Sequence, residues 1–450
     1  MKSQVSYKTI LALALPIILG SAVQNIIVVS DSIFLYHYSD LDFEAISIAS
    51  VFYLIISAIG FGFSRGGQIL IARDHGRGDL PQIKKSFYTL LIFELTLAIP
   101  LFFAIHFFSE EILGLFVNDQ ELLERGAMYL RPRSWGIFFS YVGVGIVAFY
   151  TGTSKPKFII IDTLFLAGIN IVMNYVLIFG KWGMPTMGIA GAGWASAFAE
   201  ASAFFLFILY MIFERNPVVK GIFSRPVMDF KRFKEIYLIS FNIVLQVIVG
   251  LGSWLIFFGI IENLGRKELA ISNMIRIIYL ILSIPTWGFS SAMNTISSYL
   301  LGEKNIAKIV PATHRVMFIN VGMTMVLTIP VLVFPQQFLY PLFGKSDMTL
   351  IYEAQSMFYL LIFIMFLFSC SSVYFDSIIG MGKTGWGFFV KLFASVSYLV
   401  LLYYVVEYTD LGLKAAWGTE IYYWFIVMVI SIYFMFGTKW KDKILEAANA

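Results

Sequence analysis

Residues Leu11–Leu35 read LALALPIILGSAVQNIIVVSDSIFL. A helix crosses the hydrocarbon core of a bilayer in about 20 apolar residues, and this stretch is long enough to do so. It holds one proline, Pro16, one carboxylate, Asp31, and no lysine or arginine. On insertion scales an acid at the centre of such a helix costs about 2.5–3.5 kcal/mol. Such an acid faces a cavity and binds an ion, a proton or a partner, unless it lies near the helix end and reaches the headgroups.

The rest of the chain repeats this character. Of its 450 residues, 59% are hydrophobic and 13% charged, and the mean hydropathy is +0.81. Soluble domains carry about 25% charged residues, so this chain has too few charges to coat a soluble surface. Its apolar runs do not alternate, which excludes a β-barrel. No basic stripe interleaves with aromatics, so nucleic acid is not expected as a partner. The single cysteine, Cys370, rules out an internal disulfide and leaves the redox compartment open. Lys2 and Lys8 before an apolar run mimic a signal peptide, but the run exceeds a signal h-region, so an uncleaved first helix is expected.

Twelve hydrophobic segments are expected, at 9–36, 45–72, 86–107, 128–150, 157–180, 187–213, 234–261, 269–300, 311–334, 351–379, 386–406 and 413–437. A basic connection between the sixth and seventh divides the chain into 1–214, a linker 215–233, and 234–450. Lysine and arginine concentrate in alternate loops: Arg73, Arg77, Lys84 and Lys85, then Lys155 and Lys157, then Arg215 to Lys234, then Lys304, Lys308 and Lys383. The opposite loops are acidic, with Asp40, Asp42, Glu44, Glu110, Glu111 and Asp119. The positive-inside bias therefore predicts both termini in the cytoplasm.

The halves repeat. Tyr53–Ser57, YLIIS, returns as Tyr279–Ser283, YLILS, at an offset of 226. Ala45–Ser47 returns as Ala270–Ser272, Gly76 as Gly302, and Trp194–Ser196 is echoed by Trp417–Thr419. Six spans per half keep the same orientation, so the repeat is parallel, an organisation typical of secondary transporters with sites near the membrane midplane.

Taken in order, several motifs carry a resemblance. They are Pro16, Gln24 and Asp31 in the first helix; ARDHGRGD at Ala72–Asp79; GTSKP at Gly152–Pro156; NIVMN at Asn170–Asn174; FGKWGMPTMGIAGAGWASA at Phe179–Ala197; SSYLLGEKN at Ser297–Asn305; and GMGKTG at Gly380–Gly385. The chain resembles the multidrug and toxic compound extrusion (MATE) transporters, of a NorM-like or DinF-like branch, within the multidrug/oligosaccharidyl-lipid/polysaccharide flippase superfamily. The resemblance covers essentially the whole chain. It implies an all-α integral membrane fold of twelve transmembrane helices, in two six-helix bundles related by a pseudo-two-fold axis around a central cleft.

It also implies a site in the first half, where Asp31 gathers Asn170, Asn174 and Ser196 to couple a proton or hold Na+. A carboxylate, two amides and a hydroxyl offer hard oxygen ligands, and Asn170 and Asn174 share one helix face. Paired asparagines also glue membrane helices together. Some relatives carry aspartate where this chain has Asn174. Relatives with a cation site in the second half have a glutamate in the seventh helix, which aligns here with Gly250, and an aspartate in the tenth, which falls near Phe368, so a site of that kind is not expected here.

Among other ionisable residues inside spans, Glu200 is the second acid after Asp31, with pairing to Arg65 as its structural alternative. Arg276 could pair with an acid or attract an anionic substrate. Glu94 and Glu420 also fall within spans, Asp162 and Asp376 are expected to be solvated, and Lys391 is expected to snorkel to the surface. Aromatics such as Trp135, Tyr141, Trp254, Tyr279, Trp287 and Phe289 could stack on planar cations.

No phosphate-binding glycine loop is present, and His37, His75, His106 and His314 lack metal-ligand spacing. The expected function is secondary active antiport: export of cationic or amphipathic drugs or toxic metabolites in exchange for H+ or Na+, by alternating access. No cofactor and no enzymatic activity are expected, and a monomer in the inner membrane, contacting lipid and small-molecule substrate, is expected. Pro16 lacks an amide hydrogen and weakens the first helix, which makes it a candidate hinge. The alternative is a flippase for lipid-linked saccharides or other anionic amphiphiles, which Arg65 and Arg276 would serve.

Overall fold

The computed structural model describes residues 5–115, 117–214, 217–222, 227–334, 337 and 348–437. Among them are fourteen α-helices: α1 Tyr7–Tyr36, α2 Asp40–Arg77, α3 Leu80–Leu113, α4 Gln120–Ser134, α5 Gly136–Gly152, α6 Lys157–Phe179, α7 Gly188–Phe213, α8 Pro217–Ile222, α9 Phe230–Glu262, α10 Arg266–Gly302, α11 Ile309–Val333, α12 Met348–Gly380, α13 Thr384–Tyr408 and α14 Gly412–Phe436. No strand occurs among the described residues. Ten helical stretches are long and apolar enough to cross a membrane. The α4–α5 pair is an eleventh span, bent by 52°, and Tyr7–Ala22 of α1 is a shorter apolar helix. The expected segment 128–150 is thus a broken span whose polar first arm begins at Gln120. This is a multi-pass all-helical membrane protein.

The helix ends follow local chemistry. Asp119 caps α4 by accepting from the amides of Glu121 (2.9 Å) and Leu122 (3.3 Å). Gly78, at φ +73°, ends α2, and Asp79 next to it caps α3 through the Gln82 amide at 3.0 Å. Asp229 caps α9, accepting from Lys231 N (2.9 Å) and Arg232 N (3.3 Å).

The chain divides into two compact units, Leu15–Val244 and Met1–Ala14 with Leu245–Ala450. In the first, α2 packs on α3, α4 and α5, around a core that includes Ile46, Tyr53, Ile56, Ile105, Leu130 and Tyr141. A fully buried carboxylate fastens each end of α2. Asp42 pairs with Arg125 (3.2 Å) and accepts from the Ile189 amide (3.1 Å). Asp74 pairs with Arg232 (3.1 Å) and accepts from Ser86 Oγ (2.9 Å).

In the second unit, α12 packs on α10, α11 and α14. Lipid tails are as apolar as leucine, so small and polar side chains hold such helices together. Ser377 of α12 meets Ser297 of α10 (2.8 Å) and Thr313 of α11 (3.0 Å), and Asn320 of α11 donates to the Ser369 carbonyl (2.9 Å). Arg315 of α11 donates to the Val5 carbonyl at 2.9 Å, which ties the chain's beginning to this unit.

Candidate functional site: a buried carboxylate and its donors

The start of α7, GIAGAGWASA, is mostly glycine, alanine and serine. A Cβ on Gly191 would stand 2.8 Å from the Leu177 carbonyl carbon, so the glycine is what lets α7 lie against the backbone of α6. This approach brings Ser196 of α7 against Asn170 and Asn174, which sit one turn apart on α6. Asp31 of α1 completes the group. Both asparagines are fully buried, Ser196 is 3% exposed and Asp31 5%.

The structure brings all four together. Asp31 Oδ1 accepts from Asn174 Nδ2 at 2.5 Å and from Asn170 Nδ2 at 3.1 Å. Asp31 Oδ2 accepts from Ser196 Oγ at 3.1 Å. Asn170 Nδ2 also donates to Ser196 Oγ (3.0 Å), and Asn174 Nδ2 to Asn170 Oδ1 (3.2 Å). Among the described residues, the hydrogen bonds to the carboxylate come from two side-chain amides and one hydroxyl. Such a shell stabilises an ionised carboxylate and can release it to a proton. A Na+ shell needs oxygens aimed at the ion, and both amides would have to turn to provide them. Asn174 Oδ1, which has no partner among the described residues, is the oxygen most available for this.

A charged pair adjoins the site. Arg133 Nη2 lies 2.6 Å from Glu200 Oε1, with both side chains nearly buried, and the guanidinium stacks 4.1 Å from the centre of the Tyr53 ring. The Arg133 charge reaches Asp31, and the Asp31 charge reaches Glu200. The α4–α5 bend makes this arrangement possible. Arg131 pairs at the surface with Glu110 (2.7 Å), while Arg133, two residues on, turns inward. Gly136 opens the second arm, and a Cβ there would collide with Glu200 Oε2 and stand 2.9 Å from Arg133 Nη1.

Several expectations are corrected. Glu200 pairs with Arg133, not with Arg65, which is half-buried in α2. Arg133 escapes a hydropathy reading because α4 is polar as a whole; the signal was Arg131-Pro132-Arg133 at the edge of an apolar run. Asp162 is 8% exposed, not solvated. Lys391 does not snorkel: its ammonium lies on the faces of Trp424, Phe375 and Tyr423, at 4.6, 5.2 and 5.4 Å from the ring centres. Arg276 lies over the Phe258 ring at 5.0 Å. Glu94 is fully buried, with neither oxygen partnered among the described residues.

Of the aromatics, Tyr141 is buried and donates to the Ile56 carbonyl at 2.6 Å, a structural bond, while Trp135 and Trp287 are exposed. Pro16 is buried within α1, which runs through it unbroken. The Gln24 side chain lies outside the described residues.

Comparison with known proteins places this architecture. The family model MatE matches residues 16–176 and again 242–404, two copies starting 226 residues apart. The "Probable multidrug resistance protein YoeA" of Bacillus subtilis (strain 168) is 23% identical, over 88% of this chain and 86% of its own length. The "Probable multidrug resistance protein NorM" of Thermotoga maritima is also 23% identical, over 97% of this chain and 93% of its own. Among solved structures, an outward-facing MATE family multidrug resistance transporter superposes with a TM-score of 0.88 at 17% identity, covering 98% of this chain and 96% of that one. A transporter of the same superfamily from Pyrococcus furiosus, described by the reverse polarity of its binding pocket, gives 0.87 at 17% identity over 97% of this chain and 95% of that one. With both halves matched by one family model, the chain belongs to the MatE family of multidrug efflux transporters.

Proposed function

We propose that this transporter is a secondary antiporter that exports cationic or amphipathic organic compounds in exchange for H+ or Na+, with Asp31 as the coupling carboxylate. It works by alternating access in the inner membrane with both termini cytoplasmic, as the loop charges support, and it catalyses no chemical transformation. The observation that carries the reading is a buried carboxylate held by three neutral donors from two other helices. Taking a proton removes the charge those donors stabilise, so the donors must rearrange, and α1 shifts relative to α6 and α7. The three donors hold the carboxylate ionised and ready to take a cation, and H+, which needs no ring of oxygens around it, is the first ion to test.

The test is dye efflux from proteoliposomes under separately imposed proton and sodium gradients. Efflux driven by the proton gradient, abolished by Asp31→Asn with normal expression and retained substrate binding, is expected. Efflux against a gradient by Asp31→Asn would move the coupling site elsewhere, with Glu200 next in line.

A further inference from the structure

The second unit holds its own buried acid. Glu420 of α14 is 3% exposed, and its Oε2 has no partner among the described residues. It lies one turn before Tyr423 and Trp424 on α14, and the Lys391 ammonium of α13 sits against those same two rings. Aromatic rings surround them. Trp424 packs on Phe368 (4.7 Å) and Tyr423 (4.7 Å), and its indole donates to the Tyr279 hydroxyl at 3.1 Å. Trp254 packs on Tyr279 at 5.4 Å. Lys391 forms no ion pair within 4.0 Å among the described residues; three ring faces hold it instead. Lys391 and Trp254 are half-buried, whereas Glu420, Tyr279, Tyr423 and Trp424 are buried.

A carboxylate beside several ring faces is how proteins bind organic ammonium and aromatic cations, since the rings attract the positive charge without demanding its hydration. Here the cation on the rings is covalently attached. We infer that the Glu420 cluster is a cation-binding site for organic monovalent cations, occupied by Lys391 as a tethered stand-in. A free cation binds by displacing the Lys391 ammonium from the rings of Trp424, Tyr423 and Phe375, with Glu420 supplying the counter-charge. Lysine is suited to this exchange: its flexible stem lets the ammonium move off towards water. The other titratable groups facing the cluster, Tyr279 of α10 and Tyr398 of α13, are tied by hydrogen bonds to Trp424 and to the Ser253 carbonyl (3.2 Å).

The site is separate from Asp31, and its test needs no gradient, so failure here and failure of the coupling reading are distinguishable. Equilibrium dialysis of tetraphenylphosphonium against the purified full chain, in an Asp31→Asn background, reads the affinity. Lys391→Met should tighten binding about tenfold by removing the resident competitor, and Glu420→Gln should weaken it about tenfold. Lys391→Arg, which keeps a cation on the rings, should leave it near the parent value. Unchanged or weaker binding by Lys391→Met would overturn the proposal. Should Glu420→Gln not fold, melting gives a second reading. Propylammonium chloride should raise the melting midpoint of Lys391→Met over sodium chloride at equal ionic strength, and not that of the parent. Equal midpoints in the two salts would equally overturn it.

Discussion

Asp31 takes three hydrogen bonds, and none comes from a charged group. Two changes beside it separate its role from mere packing. Asn174→Asp would place a second carboxylate in contact with the first, and two acids sharing a site cannot both ionise readily. The efflux optimum of this variant should move to higher pH, or its stimulation by Na+ should rise; an unaltered profile in both would show that position 174 does not face the coupling ion. The Arg133–Glu200 pair gives a prediction about stability. Removing one partner of a buried ion pair leaves an uncompensated charge and costs about 3–5 kcal/mol, whereas replacing both is far milder. Arg133→Met should lower the melting midpoint sharply, and Arg133→Met with Glu200→Leu should recover most of the loss.

Residues of this kind divide by how far a sequence reveals them. Asp31 stood out because an acid in an apolar helix is costly unless it meets a partner, a cavity or the headgroups, and the family pattern supplied its neighbours. Arg133 did not stand out, and Lys391 was expected at the surface and not among rings. Their partners come from other helices, and hydropathy averages over a single cation.

At the level of helices, apolar length and loop charge were legible throughout, while bends were not. The break at Trp135 depends on Pro132, on Gly136 and on what Glu200 demands across the bundle, and only the first two are written locally. Pro16 shows the converse: the residue that weakens a helix is plain, yet α1 is continuous through it. Pro16→Ala restores the missing amide, so it should leave melting unchanged or higher while lowering efflux. Full efflux by a normally expressed variant would make the proline a packing residue. The start of α9 offers a pH test. Hydrogen bonds from the amides of Arg232 and Lys231, with the charges of Lys85 and Arg232, hold the Asp229 carboxyl below its ordinary value. Its stabilising contribution is present above the unfolded-state value and disappears as pH falls through the lowered one. Asp229→Ala should cost on the order of 1 kcal/mol at neutral pH, and the difference from the parent should shrink in acid.

For the molecule as a whole, the repeat was readable because two halves under similar constraints keep residues at a fixed offset, and one family model fits both. The compact units do not follow the simplest cut of that repeat. Their division falls inside α1, between Ala14 and Leu15, and inside α9, between Val244 and Leu245. The chain is therefore laced back on itself: Met1–Ala14 belong with helices more than 200 residues further along the sequence. A gene severed after Ile222 would yield one fragment holding Met1–Ala14 without their fellows, and another missing the segment whose Val5 carbonyl Arg315 grips. Co-expressed, the fragments should assemble and restore efflux. The second fragment, expressed alone, should be degraded, and adding the peptide of residues 1–14 in trans should partly rescue it; a stable lone fragment would show that residues 1–14 are dispensable.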